Sequence, residues 1–593
     1  MSPNQRLDDY LDRDGAIAVP AGVTLTSFLD SNAATFGDAP AYRYLDFDGD
    51  RTIELSWTQL QTRLRAVGAR LQQVTQPGDR VAILAPQGVD YVVAFFSALQ
   101  SGAIAVPLFA PELPGHAERL DAVLDDARPT VVLTTSAAAE AVRTFLRGVP
   151  RPRRPRVIAV DAVPDAIGAD FVPAPLQTDD IAYLQYTSGS TRAPAGVEIT
   201  HRSACTNVVQ MILSVGLNRG IRSVSWLPLF HDMGLLMIMF PALVGGHITL
   251  MSPVAFVRRP YRWIRELGAS DLPTFAAAPN FAFELAAQRG LPPAGDDLDL
   301  SNVAGLINGS EPVSIASIDA FNAAFSPYGL PATAIKPSYG MAEATLFVST
   351  IAPDAQAGVV HLDRAQLGAG HAVPVPPDHP DAVAQVSCGR VARSQWAVIV
   401  DTGTEAELPD GQVGEIWLHG ENIGNGYWGR ADETELTFQN KLQSRLLYGS
   451  HADGCADNAL WLRTGDLGVY LDGQLYITGR IKDLVIVDGR NHYPQDIEAT
   501  VAAASTAVRA GFVTAFSVPS GGREEVVVVA ERAPGAGRAD AGPIQEAVRA
   551  AVSRRHALPV RDVKLVAAGV IPRTTSGKLA RRACRAAYLD GTL

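Results

Sequence analysis

Cysteine is scarce in this chain: Cys205, Cys388, Cys455 and Cys584 are the four among 593 residues, far apart and with no CxxC pair. Their spacing signals neither a disulfide framework nor a cysteine zinc site, and it fits a reducing compartment, so a cytoplasmic protein is expected. Positive charge is also short. With 50 Lys+Arg against 62 Asp+Glu the formal net charge is -12, which leaves no broad basic field, and nucleic acid is not an expected partner. Long apolar runs are missing too. The longest, Leu235 to Val244, is roughly half the ~20 residues a membrane span needs and carries Pro241, so it reads as a buried helix and no stable membrane insertion is expected. Met1 to Tyr10 is polar, without the apolar core of a secretory signal.

What is present is ordinary globular composition, 47% hydrophobic and 19% charged, in a chain too long for one core. From Trp57 the pattern predicts a helix to Leu71, a turn at 76–79, a strand Arg80 to Leu84, a helix Val89 to Leu99 and a strand Ala103 to Leu108. Further apolar runs at Pro129 to Thr134, Arg156 to Val160 and Ile181 to Gln185 continue the alternation, which argues for stacked α/β units with largely parallel sheets. Two stretches break it. After a helix-like Ala342 to Val348, the segment Ile351 to Val386 gathers proline, histidine and aspartate and reads as an insertion or long loop before the strand Trp396 to Asp401. Near Gly479-Arg-Ile-Lys-Asp483 a new set of strand and helix patterns begins. The expected division is a large domain over 1–480 and a small α+β domain over 481–593.

Four clusters carry chemistry. Thr187-Ser188-Gly189-Ser190-Thr191, between the strand at 181 and a helix expected over Arg202 to Leu213, can curl backbone N–H groups and hydroxyls around phosphate oxygens, though it lacks Walker A spacing. Taken alone it is also an ordinary flexible loop. Ser338-Tyr339-Gly340-Met341-Ala342-Glu343 presents a carboxylate of the kind Mg²⁺ takes beside substrate phosphates; a lone glutamate is otherwise a solvated charge. Asp466, in Arg463-Thr-Gly-Asp466, suits a pair of ribose hydroxyls or a simple Asx turn. Lys578 ends a Thr-Ser-Gly-Lys loop from which it reaches an anionic centre.

In this order, and with Ser225-Trp-Leu-Pro-Leu-Phe-His231-Asp-Met-Gly234, Gly309-Ser310-Glu311, Gly414-Glu-Ile-Trp417, Gly426-Tyr-Trp428 and Arg480 within Gly479 to Asp483, the clusters resemble the signature of the adenylate-forming superfamily along nearly the whole chain. Arg192 and Ala195 in the first loop, Asp488 to Asp496 and the extra segment 351–386 resemble the fatty-acyl-AMP ligases of actinobacteria, above all the mycobacterial branch that activates the meromycolic chain.

That resemblance implies ATP and Mg²⁺ as cofactors and a long-chain fatty acid as substrate. It also implies the site roles. Thr187 to Thr191 would cradle the phosphates; Glu343, with Thr187, would hold the metal. Gly309, Ser310, Glu311, Ser338, Tyr339, Gly340, Met341 and Ala342 would line the adenine; Asp466 would bind ribose with Arg480 beside it. Lys578 would bridge the carboxylate and the α-phosphate, Lys482 would serve as hinge, and His231 would gate the acyl tunnel, a satisfied core histidine being the alternative. The acceptor implied is the phosphopantetheine thiol of an acyl carrier protein domain of a polyketide synthase. An acyl-CoA synthetase, told apart by discharge of the adenylate to coenzyme A, and a luciferase-like oxygenase are the competing readings.

Overall fold

The helix Trp57–Gln72 shows how local sequence builds the frame. Ser56 Oγ accepts from the Gln59 amide while Gln59 Oε1 accepts from the Ser56 amide, a reciprocal cap that satisfies two otherwise orphaned donors. Trp57, Leu60, Leu64, Val67 and Leu71 recur at helical spacing and bury one face. The computed structural model describes residues 7–111, 117–150, 153–187, 194–217, 220–487, 490–520, 523–537, 539–574 and 578–593.

Strands Arg80–Ile83, Ile104–Pro107, Val131–Thr134, Arg156–Ala159 and Ile181–Tyr186 lie parallel in a six-stranded sheet, close to the expected limits. Its sixth strand was not expected. Gly196–Thr200 pairs antiparallel with Ile181–Tyr186 before the helix His201–Val215 begins. Thr200 caps the helix by accepting from the Ser203 amide at 3.0 Å. A nine-stranded sheet has a parallel centre that includes Thr274–Pro279, Val303–Gly309 and Ile335–Gly340. The run Leu235 to Val244 sits inside the helix Asp232–Val244 and is buried throughout, as its composition requires. Among the described residues no helix is long and apolar enough to cross a membrane.

Two sequence expectations need correcting. Ala342 to Val348 is no helix: one 3₁₀ turn, Ala342–Ala344, stops at Thr345, whose φ of 65° leaves the helical region. Phe347–Thr350, rich in β-branched and aromatic character, then pairs antiparallel with 338–340. The segment 351–386 is no bare loop either. Val359–Asp363 pairs antiparallel with Ala382–Val386, with a short helix, Arg364–Gly368, between them.

A four-stranded antiparallel sheet contains Leu462–Leu471 and Gln474–Arg480. Beyond it lie a three-stranded sheet, Val508–Ser520, Arg523–Arg532 and Val560–Val566, and the helices Pro494–Ala504 and Ala541–His556, sharing a core of their own around Val501, Val528 and Val548.

Candidate active site

Asp466 and Arg480 face each other across neighbouring strands, a register that places them side by side. Arg480 Nε lies 2.9 Å from Asp466 Oδ1, and the Tyr339 hydroxyl donates to Asp466 Oδ2 at 2.7 Å. Asp466 is buried. Its charge raises the Arg480 pKa further, while burial, reinforced by Asp466, pushes the Tyr339 hydroxyl well above its ordinary value. Three residues from three separate stretches of sequence thus form one bonded unit. Tyr339 belongs to the strand Ile335–Gly340, whose end abuts a tight return: a Cβ on Gly340 would sit 2.0 Å from the Leu346 carbonyl, so only glycine fits there. Met341 closes that return through its amide to the Leu346 carbonyl at 2.8 Å, and Ala342 is buried beneath it.

The same return presents Glu343. Its Oε1 accepts from the Tyr427 hydroxyl at 2.9 Å and its backbone carbonyl from the Gly424 amide at 2.9 Å. Burial raises the Glu343 pKa, and the Tyr427 bond and Arg480 oppose that rise. Among the described residues no group of three or more histidine, cysteine or acidic side chains is placed to hold a metal. A single half-buried carboxylate suits Mg²⁺, which keeps waters and takes its remaining ligands from phosphates.

Ser310, Gly309, Ser338, Tyr339 and Gly340 form the polar wall of a cavity whose other wall is apolar: Met211, Met233, Met237, Ala277, Leu346 and Phe347. Of the apolar stretch after His231, Met237 reaches this cavity, while Leu235, Leu236, Ile238, Met239 and Phe240 are buried away from its lining. Ser310 holds φ 68° at the rim, a strained position for a residue with a side chain. Glu311 accepts from the Phe281 amide at 2.7 Å, and burial raises its pKa.

His231 Nδ1 lies 2.5 Å from Asp232 Oδ1 at the start of the helix Asp232–Val244. Lys578 comes from the far end of the chain. Thr574 and Lys578 close a turn through Thr574 N to Lys578 O at 2.9 Å and Lys578 N to Thr574 Oγ1 at 3.2 Å. Burial lowers the Lys578 pKa, while Asp232, Glu311 and Asp466 pull it back up and Arg480 adds to the fall. Lys578, Asp466, Arg480, Tyr339 and Glu311 are therefore gathered at one place, with His231 linked through Asp232. Thr187 is half-buried at the end of its strand; Ser188, Gly189, Ser190 and Thr191 lie outside the described residues. Lys482 is exposed in the 3₁₀ turn Ile481–Asp483, which directly follows Arg480.

Two participants escaped the sequence reading. Tyr427 stood in a quoted motif without a role, and Asp232 stood beside His231 without one; only the fold shows what each bonds.

The chain matches the AMP-binding enzyme family over residues 29–428 and the AMP domain of the Disco-interacting protein 2-like family over 482–593. It is 55% identical to the long-chain-fatty-acid–AMP ligase FadD32 of Mycolicibacterium smegmatis, across 98% of this chain and 96% of that protein. A solved fatty acyl-adenylate ligase from the E. coli and L. pneumophila pair superposes with a TM-score of 0.83 at 29% identity, covering 97% of this chain and 99% of its own. The L. pneumophila fatty acyl-adenylate ligase in complex with acyl adenylate and pyrophosphate gives 0.72 at 29% identity, covering 96% of each chain.

Proposed function

We propose, on the premise that this chain belongs to the AMP-binding enzyme family and within it is a fatty-acyl-AMP ligase, a reaction course and an assignment of roles to its residues. A long-chain fatty carboxylate attacks the α-phosphorus of ATP, the bond to the β-phosphate oxygen breaks, and pyrophosphate leaves, giving acyl-AMP. Two anions must meet, so the barrier is largely electrostatic and is answered by charges and donors already in place. The observation that carries the reading is the bonded unit Tyr339–Asp466–Arg480, with Asp466 and Arg480 both close enough for their charges to act on Lys578.

In this reading Asp466 accepts the ribose hydroxyls, Tyr339 stays protonated as a donor and wall, and Gly309, Ser310, Glu311, Ser338, Gly340, Met341 and Ala342 border the base. Lys578 neutralises charge between carboxylate and α-phosphate. The loop 187–191 takes the phosphates. Glu343, with Thr187, holds Mg²⁺, which supplies further neutralisation of the phosphates when bound. His231, oriented by Asp232, stands at the mouth of the cavity, and Met211, Met233, Met237 and Phe347 line the start of the acyl chain's path.

Residues 1–480 serve as the adenylating domain and 481–593 as a lid that turns at Lys482 once acyl-AMP is made. The acceptor is the phosphopantetheine thiol of an acyl carrier protein domain of a polyketide synthase: its sulfur attacks the acyl carbonyl, AMP leaves, and the thiol proton passes to solvent. The scarcity of cysteine supports a cytoplasmic setting. Product analysis with ATP, Mg²⁺ and a fatty-acid panel tests the scheme. Acyl-AMP and pyrophosphate in equal amounts, then loaded carrier protein, are expected; rapid acyl-CoA formation in its place restores the acyl-CoA synthetase reading.

A further inference from the structure

The turn that carries Lys578 hangs from a stem whose two sides are tied together: the Ala580 amide donates to the Pro572 carbonyl at 2.9 Å, and Arg573 pairs with Leu579. What anchors the stem comes from the strand Val508–Ser520. Its register against Arg523–Arg532 runs from Val508 opposite Arg532 to Val513 opposite Ala530, so Arg509 to Phe512 bulge out opposite Glu531 alone. Gly511, at φ 73°, makes the bend. The bulge holds half-buried Phe512 against two guanidiniums, the central carbon of Arg509 lying 3.4 Å from the ring centroid and that of Arg573 4.0 Å. Two guanidiniums so close would overlap on one face, so they take opposite faces of the ring. Arg573 also donates to the Gly511 carbonyl at 3.4 Å.

Two like charges on one ring need a counter-charge, and Glu531 supplies it. Fully buried, it accepts from Arg509 at 2.8 Å, from the Gly569 amide at 2.8 Å and from the Ile571 amide at 3.3 Å. Those two amides belong to the chain entering the stem. Arg573 and Lys578 both act on the charge of Glu311, so the stem stands close to the polar wall of the cavity. A ring clasped by a cation on each face has little freedom to slide, and partial burial strengthens both contacts. We propose that Phe512 is a positioning residue for acyl-AMP formation: braced by Arg509 and Glu531, its ring fixes Arg573 and thereby sets where Lys578 stands. It acts through the stem and not on the reactants.

The proposal rests on reading Lys578 as the charge partner in acyl-AMP formation, and the experiment separates the two. Full-length Phe512→Leu, Phe512→Tyr, Lys578→Ala and the double variant Phe512→Leu/Lys578→Ala are compared in acyl-AMP formation from ATP, Mg²⁺ and a long-chain fatty acid. Phe512→Leu keeps apolar bulk and removes the π face. It should lower kcat about three- to thirtyfold, the span of a cation–π contact, and leave KM for ATP and for fatty acid in place. Phe512→Tyr, which keeps the ring, should recover most of the loss. Because Phe512 acts through Lys578, the double variant should be no slower than Lys578→Ala alone. If Lys578→Ala runs near the intact rate, the reading of Lys578 falls and the proposal with it. If Lys578→Ala is slow and Phe512→Leu is not, Lys578 stands and Phe512 is refuted. Losses that multiply in the double variant, equal losses in the Leu and Tyr variants, or raised KM values with a lowered melting temperature would mark a structural role and also overturn it. A second measurement reads the stem itself: hydrogen exchange at the Thr574 and Ala580 amides should quicken in Phe512→Leu, while Val526 to Ala530 in the neighbouring strand stays protected. Unchanged exchange at those two amides overturns the proposal.

Discussion

Asp466 spends one carboxylate oxygen on Tyr339 and the other on Arg480, yet a carboxylate has lone pairs beyond those two bonds. The partners fix its plane so that the remaining lone pairs point outward at no further entropic cost. Asp466→Ala would therefore remove an acceptor and release both neighbours. Binding of a non-hydrolysable ATP analogue, measured by calorimetry, should weaken about ten- to a hundredfold, the range for charged hydrogen bonds; unchanged affinity would refute the ribose role. Lys578 behaves differently because its charge matters as charge moves onto the phosphates. Lys578→Ala should lower acyl-AMP formation by roughly 10²–10³-fold, as for loss of one preorganised electrostatic partner, while the calorimetric affinity for the analogue persists. Near-normal acyl-AMP accumulation would remove Lys578 from the mechanism.

The helix His201–Val215 shows the same logic at the scale of an element. His201, buried at its first turn, accepts the Leu25 amide at Nδ1 at 3.3 Å and so seats the N-terminal segment on the helix. Burial lowers its pKa to about 4 from an ordinary 6.5. Because the folded value is the lower one, the unfolded chain binds the extra proton between these values, and stability present above 6.5 is lost as pH falls toward 4. Urea unfolding between pH 7.5 and 4.5 should show that slope, and His201→Gln, which keeps an acceptor without a proton to gain, should flatten it. An equal slope in the variant would mean that other groups set the acid sensitivity. This helix was legible in the sequence, as were Trp57–Gln72 and the parallel strands: burial follows helical spacing in Trp57–Gln72, and the strands are short apolar runs buried at successive residues. The return at 340–347 was not. Its apolar residues mimic a helical face, and what stops the helix is a close approach between Gly340 and Leu346 that no local pattern announces. Likewise Asp466 and Tyr339 could each be picked from its motif, but their bond spans 127 positions.

Across the whole molecule the strap built from 359–386 touches the C-terminal portion through a small shared core, in which Leu362 and Leu367 cluster with Tyr493, and through charged side chains. Arg364 forks onto Asp496, Nε to Oδ2 at 2.6 Å and Nη2 to Oδ1 at 3.2 Å, with Asp381 at 3.7 Å behind it. His556 lies 3.7 Å from the same Asp496, and Arg555 donates to the Ala382 carbonyl at 3.4 Å. Packing is close enough that a Cβ on Gly368 would come within 2.8 Å of the Asn491 carbonyl. If the C-terminal portion turns as a lid in the proposed course, these bonds break first. A carrier protein brings a docking surface whose binding energy can offset that cost, whereas coenzyme A brings far less. The expectation is that the intact enzyme loads a carrier protein and yields little acyl-CoA. Arg364→Ala removes the forked pair, and each 1.4 kcal/mol shifts a two-state balance tenfold. With a hydrogen-bonded charge pair worth about 1.5–3 kcal/mol, acyl-CoA formation should rise by roughly ten- to a hundredfold while acyl-AMP formation stays near its starting rate. Excising most of 359–386 should raise it further. Chromatographic separation of acyl-AMP, acyl-CoA and loaded carrier protein over time reads all three. If Arg364→Ala and the shortened chain both leave acyl-CoA at the level of the intact enzyme, the strap does not set the choice of acceptor, and the discrimination must lie where the thiol itself enters.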